Sequence, residues 1–150
     1  MKWWERVMSR PPDFVIGGDD DPYLLRWFVI PRNPIFNVYL HRFCRSDDDR
    51  ACHDHPWPNA SHLLRGEYTE HTIPQGGINR REVLRAGVWR VRWSGALAHR
   101  VELHAGECVT LFLTGPRYRE WGFHCPDKGW VHWRDFTGDR EGKTVGAGCE

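Results

Sequence analysis

The chain has 150 residues, 27% of them charged, with Lys+Arg 21 against Asp+Glu 20 and a net charge of +1. Balanced charge supplies none of the basic field that nucleic acid calls for, and apolar runs only a few residues long exclude a membrane-crossing helix. The length suits a single domain over 1–150 with a real core, and Met1 to Arg6 lacks the apolar centre of a secretory leader, so a cytoplasmic protein is expected. In that compartment Cys44, Cys52, Cys108, Cys125 and Cys149, odd in number and without CxxC spacing, are expected as free thiols. Nine tryptophans suit a barrel wall or a subunit contact, since each brings a large apolar area and one donor.

Residues 3–9 predict a short helix with Trp3, Trp4, Val7 and Met8 near one side, stopped by Pro11-Pro12. Gly17 to Pro22, with Asp19-Asp20-Asp21, reads as a solvated turn. Tyr23 to Ile30 is extended up to Pro31 and Pro34, and Ile35 to Cys44 is dense in strand formers. A polar loop, Ser46 to Arg50, leads to His53. Further strands are predicted from His62 to Thr72 with a break at Gly66, then, after a turn at Gln75-Gly76-Gly77, at Arg81–Leu84, Val88–Trp93, Ala98–Leu103 and Cys108–Thr114. Arg117–Phe123 and Val131–Phe136 also read as extended, and the glycine-rich tail from Thr137 to Glu150 as poorly ordered. Many short strands with glycine between them predict an all-β antiparallel sandwich or barrel whose core covers residues 23–136.

The chemistry concentrates at His53-Asp54-His55-Pro56-Trp57. Side chains of extended chain repeat every second residue, so His53 and His55 face the same way and Asp54 points away from them, or orients an imidazole from behind. In Ala98–Leu103 the same alternation puts His99 on the face of Val101 and Leu103, aimed at an interior. Neutral imidazole nitrogens suit zinc, iron, copper and nickel, and three of them leave coordination positions open. His62 faces away from the pair if the strand is continuous. His41, with Tyr39 and Phe43, reads as a core or rim histidine, and His71, His104, His124 and His132 as surface or structural ones. Asn59 follows the histidine pair within the same segment.

The pattern resembles the cupin family, whose first motif reads G-x5-H-x-H-x3,4-E-x6-G and whose second reads G-x5-P-x-G-x2-H-x3-N. His53 and His55 match the paired histidines, Gly66 the closing glycine, Gly87 the second motif's opening glycine and His99 its histidine, across an interval one residue longer. Asn59 stands in the place of the glutamate, Ser94 and Ala96 in those of proline and glycine, and Leu103 in that of the last asparagine. The likeness covers about residues 35–125 and is nearest to small single-domain cupins of bacteria and phages. It implies a double-stranded β-helix (jelly roll), often a homodimer, with a metal deep in the barrel. With the glutamate replaced, the set His53, His55, His99 and Asn59 is similar to that of the thiol dioxygenases of the superfamily, which hold iron(II) with three histidines.

Fe2+ is therefore the expected metal, with Zn2+ or Ni2+ as alternatives, and an anionic small molecule the expected ligand. Tyr68 or Tyr39 is the candidate proton donor. Arg65, Arg117 and Arg119 are the candidates for a bidentate hold on a carboxylate or phosphate at the barrel mouth. Arg90 and Arg92, interleaved with Trp89 and Trp93, are expected on an exposed sheet face. Three readings stay open: an oxygen-using enzyme, a binding module without turnover, and a sugar isomerase or epimerase. Fold alone decides none of them.

Overall fold

The computed structural model describes residues 1–47, 51–73 and 77–149. Gln75 and Gly76 of the expected turn, and Asp48 to Arg50 of the polar loop, lie outside the described residues. Strand-forming residues in short runs pair into two six-stranded antiparallel sheets. The first runs β1 (Phe14–Ile16), β2 (Leu24–Phe28), β3 (Asn37–Phe43), β10 (Cys108–Thr114), β5 (Asn59–Arg65), β8 (Trp89–Arg92). The second runs β12 (Gly129–His132), β11 (Gly122–Cys125), β4 (Cys52–His53), β9 (Ala98–Leu103), β6 (Glu67–Ile73), β7 (Arg80–Arg85).

Strand β3 pairs along its whole length with β10, from Phe43↔Cys108 to Asn37↔Thr114. Period-two alternation turns Asn37, Tyr39, His41 and Phe43 inward and leaves Leu40 on the outer face. Helix α1 (Trp3–Met8) covers that outer face: Trp4 is buried with Trp27, Leu40 and Val109. The Lys2 backbone N–H donates to Glu5 Oε2 at 2.6 Å, satisfying a free donor at the helix start. Between the sheets Leu63, Tyr68, Leu84, Val101 and Cys108 form the inner core, and Tyr68 and Val101 also line the cavity above it. Gly66 carries the chain from one sheet to the other at φ +94°, and a Cβ there would stand 2.6 Å from Cys108 Sγ and 2.8 Å from the Glu107 carbonyl. Only glycine fits that crossing.

The C-terminal region departs from expectation. β12 ends at His132, and Trp133–Thr137 is helix α2 rather than strand. The reason is tertiary: Trp133 stacks on Trp121 at 5.7 Å and Phe136 on Phe123 at 3.8 Å. A helix brings residues three apart to one side, whereas a strand would send these two rings to opposite faces. The tail beyond is tied rather than loose. The Gly17 N–H donates to the Lys143 carbonyl at 2.8 Å, and the Asp139 carboxylate accepts from the backbone N–H groups of Glu141, Lys143 and Thr144. Cys149 forms a disulfide with Cys125, which corrects the free-thiol expectation for these two; Cys44, Cys52 and Cys108 are thiols. No helix among the described residues is long and apolar enough to cross a membrane.

Candidate metal centre

β4 lies between β11 and β9, so His53 pairs across the ladder with Phe123 on one side and His99 on the other. The chain leaves the strand at Asp54 and is pinned there. The Asp54 carboxylate, 1% exposed, accepts from the Gly122 N–H (2.8 Å), His124 Nε2 (3.0 Å) and Trp130 Nε1 (3.0 Å), and pairs with Arg119 (3.1 Å). Asp54 therefore points away from the imidazoles and holds the backbone between them. The His55 N–H donates to the Gly95 carbonyl at 2.8 Å, and a Cβ on Gly95 would lie 2.3 Å from the His55 carbonyl. Trp57 stacks on the His55 ring at 5.3 Å and 17°, fixing its plane.

His53, His55 and His99 offer ligand atoms that all lie within 4.8 Å of one another. Their ring centroids form a nearly equilateral triangle of 5.2, 5.0 and 5.1 Å. His55 Nε2 and His99 Nε2 are 2.9 Å apart. Two nitrogens each at the usual 2.0–2.1 Å from a first-row metal and about 90° apart are separated by about 3 Å, so the spacing fits adjacent ligands of one ion. Burial, followed by their own proximity and the nearby Arg92, pushes His55 and His99 well below the ordinary imidazole value. Burial lowers His53 too, against an opposing pull from Asp47. At neutral pH the three rings are uncharged and present lone pairs, the form a metal requires. The group could hold a metal ion.

His99 is oriented from behind by Glu70, which sequence reasoning did not single out. Glu70 is 3% exposed, and its Oε1 lies 2.9 Å from His99 Nδ1, which also has Arg92 Nη2 at 3.0 Å; in the tautomer that donates Nδ1–H to the carboxylate, Nε2 keeps its lone pair toward His55 and the cavity. Arg92 donates to the same oxygen and Arg90 Nε to Oε2 at 3.2 Å. Burial pulls Arg92 down to about 10, so it stays cationic at neutral pH. The expectation of an exposed arginine face on β8 is thus inverted: Arg92 is 6% exposed, whereas Trp89 and Trp93 are 49% and 86% exposed. The signal was available only in part. Glu70 shares the alternation of Tyr68, but its partners lie on other strands.

Two expected site residues fall elsewhere. Asn59 sits opposite Arg92 in the β5–β8 ladder, its Oδ1 accepting from Arg92 (3.2 Å) and its Nδ2 donating to the Trp57 carbonyl (3.3 Å). With both polar atoms occupied, it stays behind the histidines and supports Arg92. Arg65 is exposed, its guanidinium 5.6 Å from the Trp4 ring on the outer face, because odd positions of β5 past the Val109–Thr110 register shift turn outward. Tyr68 and Tyr39 both line the cavity, and burial raises Tyr68. Arg117 lines it too, bonded to Glu120 at 2.8 Å; Arg119 instead donates to the His55 carbonyl at 3.2 Å. His62 stacks on Trp89 at 4.5 Å. His71, His104, His124 and His132 each face a carboxylate, Glu102, Glu67, Asp54 and Glu120 respectively.

The histidines open into a cavity of about 650 Å³, within the range of small-molecule sites. On its far wall Arg26 and His41 are cross-strand partners, and Arg26 Nε–H donates to His41 Nε2 at 2.8 Å. Burial and the adjacent Arg26 push His41 well below 6.5, so it is a neutral acceptor. Burial lowers Arg26 to about 10. Tail residues Thr137, Glu141, Gly142, Thr144 and Val145 also line it.

No family model and no curated protein sequence matches the chain. Similar solved structures include an oxalate decarboxylase of Bacillus subtilis described with Mn(II) centres, at TM-score 0.55 and 16% identity, over 79% of this chain and 31% of that one. Another is an oxalate decarboxylase of Lactobacillus farciminis as its formate complex, at TM-score 0.52 and 13% identity, over 66% and 30%. FeII HppE in complex with its substrate matches at TM-score 0.55 and 13% identity, over 71% and 57%. The chain thus spans about a third of each decarboxylase and just over half of HppE. Two antiparallel sheets closing on an inward-facing histidine group, on a backbone shared with these proteins, give this chain the cupin fold.

Proposed function

We propose that the chain is a mononuclear metal cupin in which His53, His55 and His99 hold Fe(II), and that it uses dioxygen to oxidise a small organic anion. The observation that carries this reading is the convergence of three neutral imidazoles on one point, with the Glu70 carboxylate 2.9 Å behind His99 Nδ1. Among the described residues no carboxylate joins the three, so a bound ion keeps several positions open, as a metal that binds both oxidant and substrate requires. Ferrous iron supplies the one-electron chemistry by which dioxygen becomes reactive. The protein supplies the rest: Trp57 and Phe112 pack against His55 and keep water from its ring, and Tyr68, held protonated by burial, offers a hydrogen bond at the cavity floor.

Elemental analysis of the untagged protein beside His53→Ala and His99→Ala tests the reading. About one equivalent of iron, lost in both variants, followed by oxygen uptake with an organic acid, is the expected result. Zinc or nickel at that level, with no oxygen uptake, would replace the oxygenase by a binding module. No metal after anaerobic loading would remove the metal reading altogether.

A further inference from the structure

The wall opposite the histidines carries a charge with no counter-charge. Arg26 has no carboxylate partner among the described residues, although eight other arginines do: Arg10, Arg42, Arg45, Arg85, Arg90, Arg92, Arg117 and Arg119. Among the described residues it makes one hydrogen bond, Nε–H to His41 Nε2, which leaves both terminal nitrogens unused there. The guanidinium is held flat by aromatic faces, 4.9 Å from the Tyr39 ring centre and 5.7 Å from that of Phe14. A half-buried guanidinium held between aromatic rings at the edge of a cavity is a fork for two oxygens of one anion.

The rest of the lining narrows the anion. Phe112 lies between the two polar groups, 5.0 Å from the His41 ring and 5.9 Å from that of His55, so a ligand reaching from Arg26 to the histidines must pass along an aromatic surface. Phe28, Trp57, Trp121 and Phe123 continue that surface. The buried Asp47 carboxylate also lines the cavity near His53, where it accepts from the Val101 N–H at 2.7 Å, so the histidine end already carries a negative charge of its own. Arg32 and Arg117 also line the cavity, but Arg117 is paired with Glu120 and Arg32 lies over the Phe28 ring at 5.6 Å, so Arg26 is the guanidinium at the head of the flat apolar passage, and an acid with an apolar body fits that passage better than a polyhydroxylated sugar.

We propose that Arg26 is the anion seat of the cavity and that its ligand is a monocarboxylic acid with a flat, apolar body, the carboxylate bound to Arg26 and the uncharged end directed at His53, His55 and His99. This deepens the proposed function by naming the substrate class, and it rests on reading the cavity as the ligand site; it stands whether or not the histidines hold iron.

Phenylacetate and its neutral isostere phenylacetamide are the probes, titrated calorimetrically into the protein as isolated and into His53→Ala. The acid should bind the unaltered protein about tenfold or more tightly than the amide, the difference expected for a charge-assisted bidentate contact. Arg26→Gln should abolish that preference and leave metal content unchanged, while Arg26→Lys should retain part of it. A preference that survives in Arg26→Gln, equal affinities for acid and amide, or no binding of either at millimolar concentration would overturn the proposal. Should Arg26→Gln fail to fold, the acid–amide contrast in the unaltered protein decides. Metal content is read separately, so loss of the metal reading and loss of the anion seat give different results.

Discussion

On the β4–β9 wall of the cavity three imidazoles turn toward one another, two of them Nε2 to Nε2 at 2.9 Å. On the β2–β3 wall His41 turns its Nε2 to Arg26, which donates to it. Burial lowers all four rings, so both walls use histidine in its neutral form. What differs is the partner. His41 is satisfied within the protein and leaves a cation's outer edge exposed to the cavity. The three histidines turn ring nitrogens toward one another, an arrangement held by a shared proton or by an external cation in its place. One wall is thus built to receive a cation and the other an anion, from the same residue type. The distinction lies in which nitrogen meets a donor.

Removing the support behind the metal wall should have the largest effect. Glu70→Ala leaves Arg92 buried without its counter-charge and His99 without its acceptor. A loss of about 3–5 kcal/mol of stability is expected for breaking a buried pair, with metal affinity weakened about 10–100-fold. Urea unfolding of the chelated protein and a separate metal titration measure the two effects. Unchanged affinity would mean that packing alone orients His99.

The tail joins the walls at the mouth, touching Gly17 beside β1 and Cys125 in β11. The disulfide closes a loop of sequence separation 24, so Cys125→Ser should cost about 3 kcal/mol on the chain-entropy account. Thermal unfolding with and without reductant reads this. A variant as stable as the parent would show that α2 packing holds the tail unaided.

Histidines lowered by burial take up protons in the unfolded chain before they do in the folded one. Stability of the metal-free protein should therefore be full above pH 6.5 and decline as pH falls below it. His41→Phe should shallow that decline by about 1–2 kcal/mol between pH 6.5 and 5, since one proton-linked group is removed from the far wall. Denaturant midpoints at several pH values decide it, and an unchanged slope would place the linkage in the metal wall alone. The smallest effect is expected from Trp57→Ala, which removes the stacking partner of His55. Metal affinity should fall by several-fold, about 1 kcal/mol, with the ion still bound. Competition against a chromogenic chelator resolves a change of that size.

The legible parts of this protein are those encoded by near neighbours. His53 and His55 face one way because extended chain repeats every second residue, and His99 shares its face with Val101 for the same reason. The N-terminal helix is bounded by Pro11-Pro12, and its buried Trp4 belongs to the expected apolar side. Asn59 misled because motif position says where a residue stands in the chain and not what its side chain meets; an arginine 33 positions away claims its oxygen. Arg90 and Arg92 misled because charge next to tryptophan reads as surface, and only the approach of Glu70 from the other sheet reverses that alternation.

By itself, the sequence determined most strands between Leu24 and Thr114, the short first helix and the three histidines that share an interior, since backbone periodicity and side-chain type suffice for these. Tertiary structure alone decided that Glu70 backs His99, that Arg26 faces the cavity without a counter-charge, and that Cys149 reaches Cys125. Each of these depends on groups brought together from distant strands, where burial raises the cost of an unmatched charge or donor and so selects the partner.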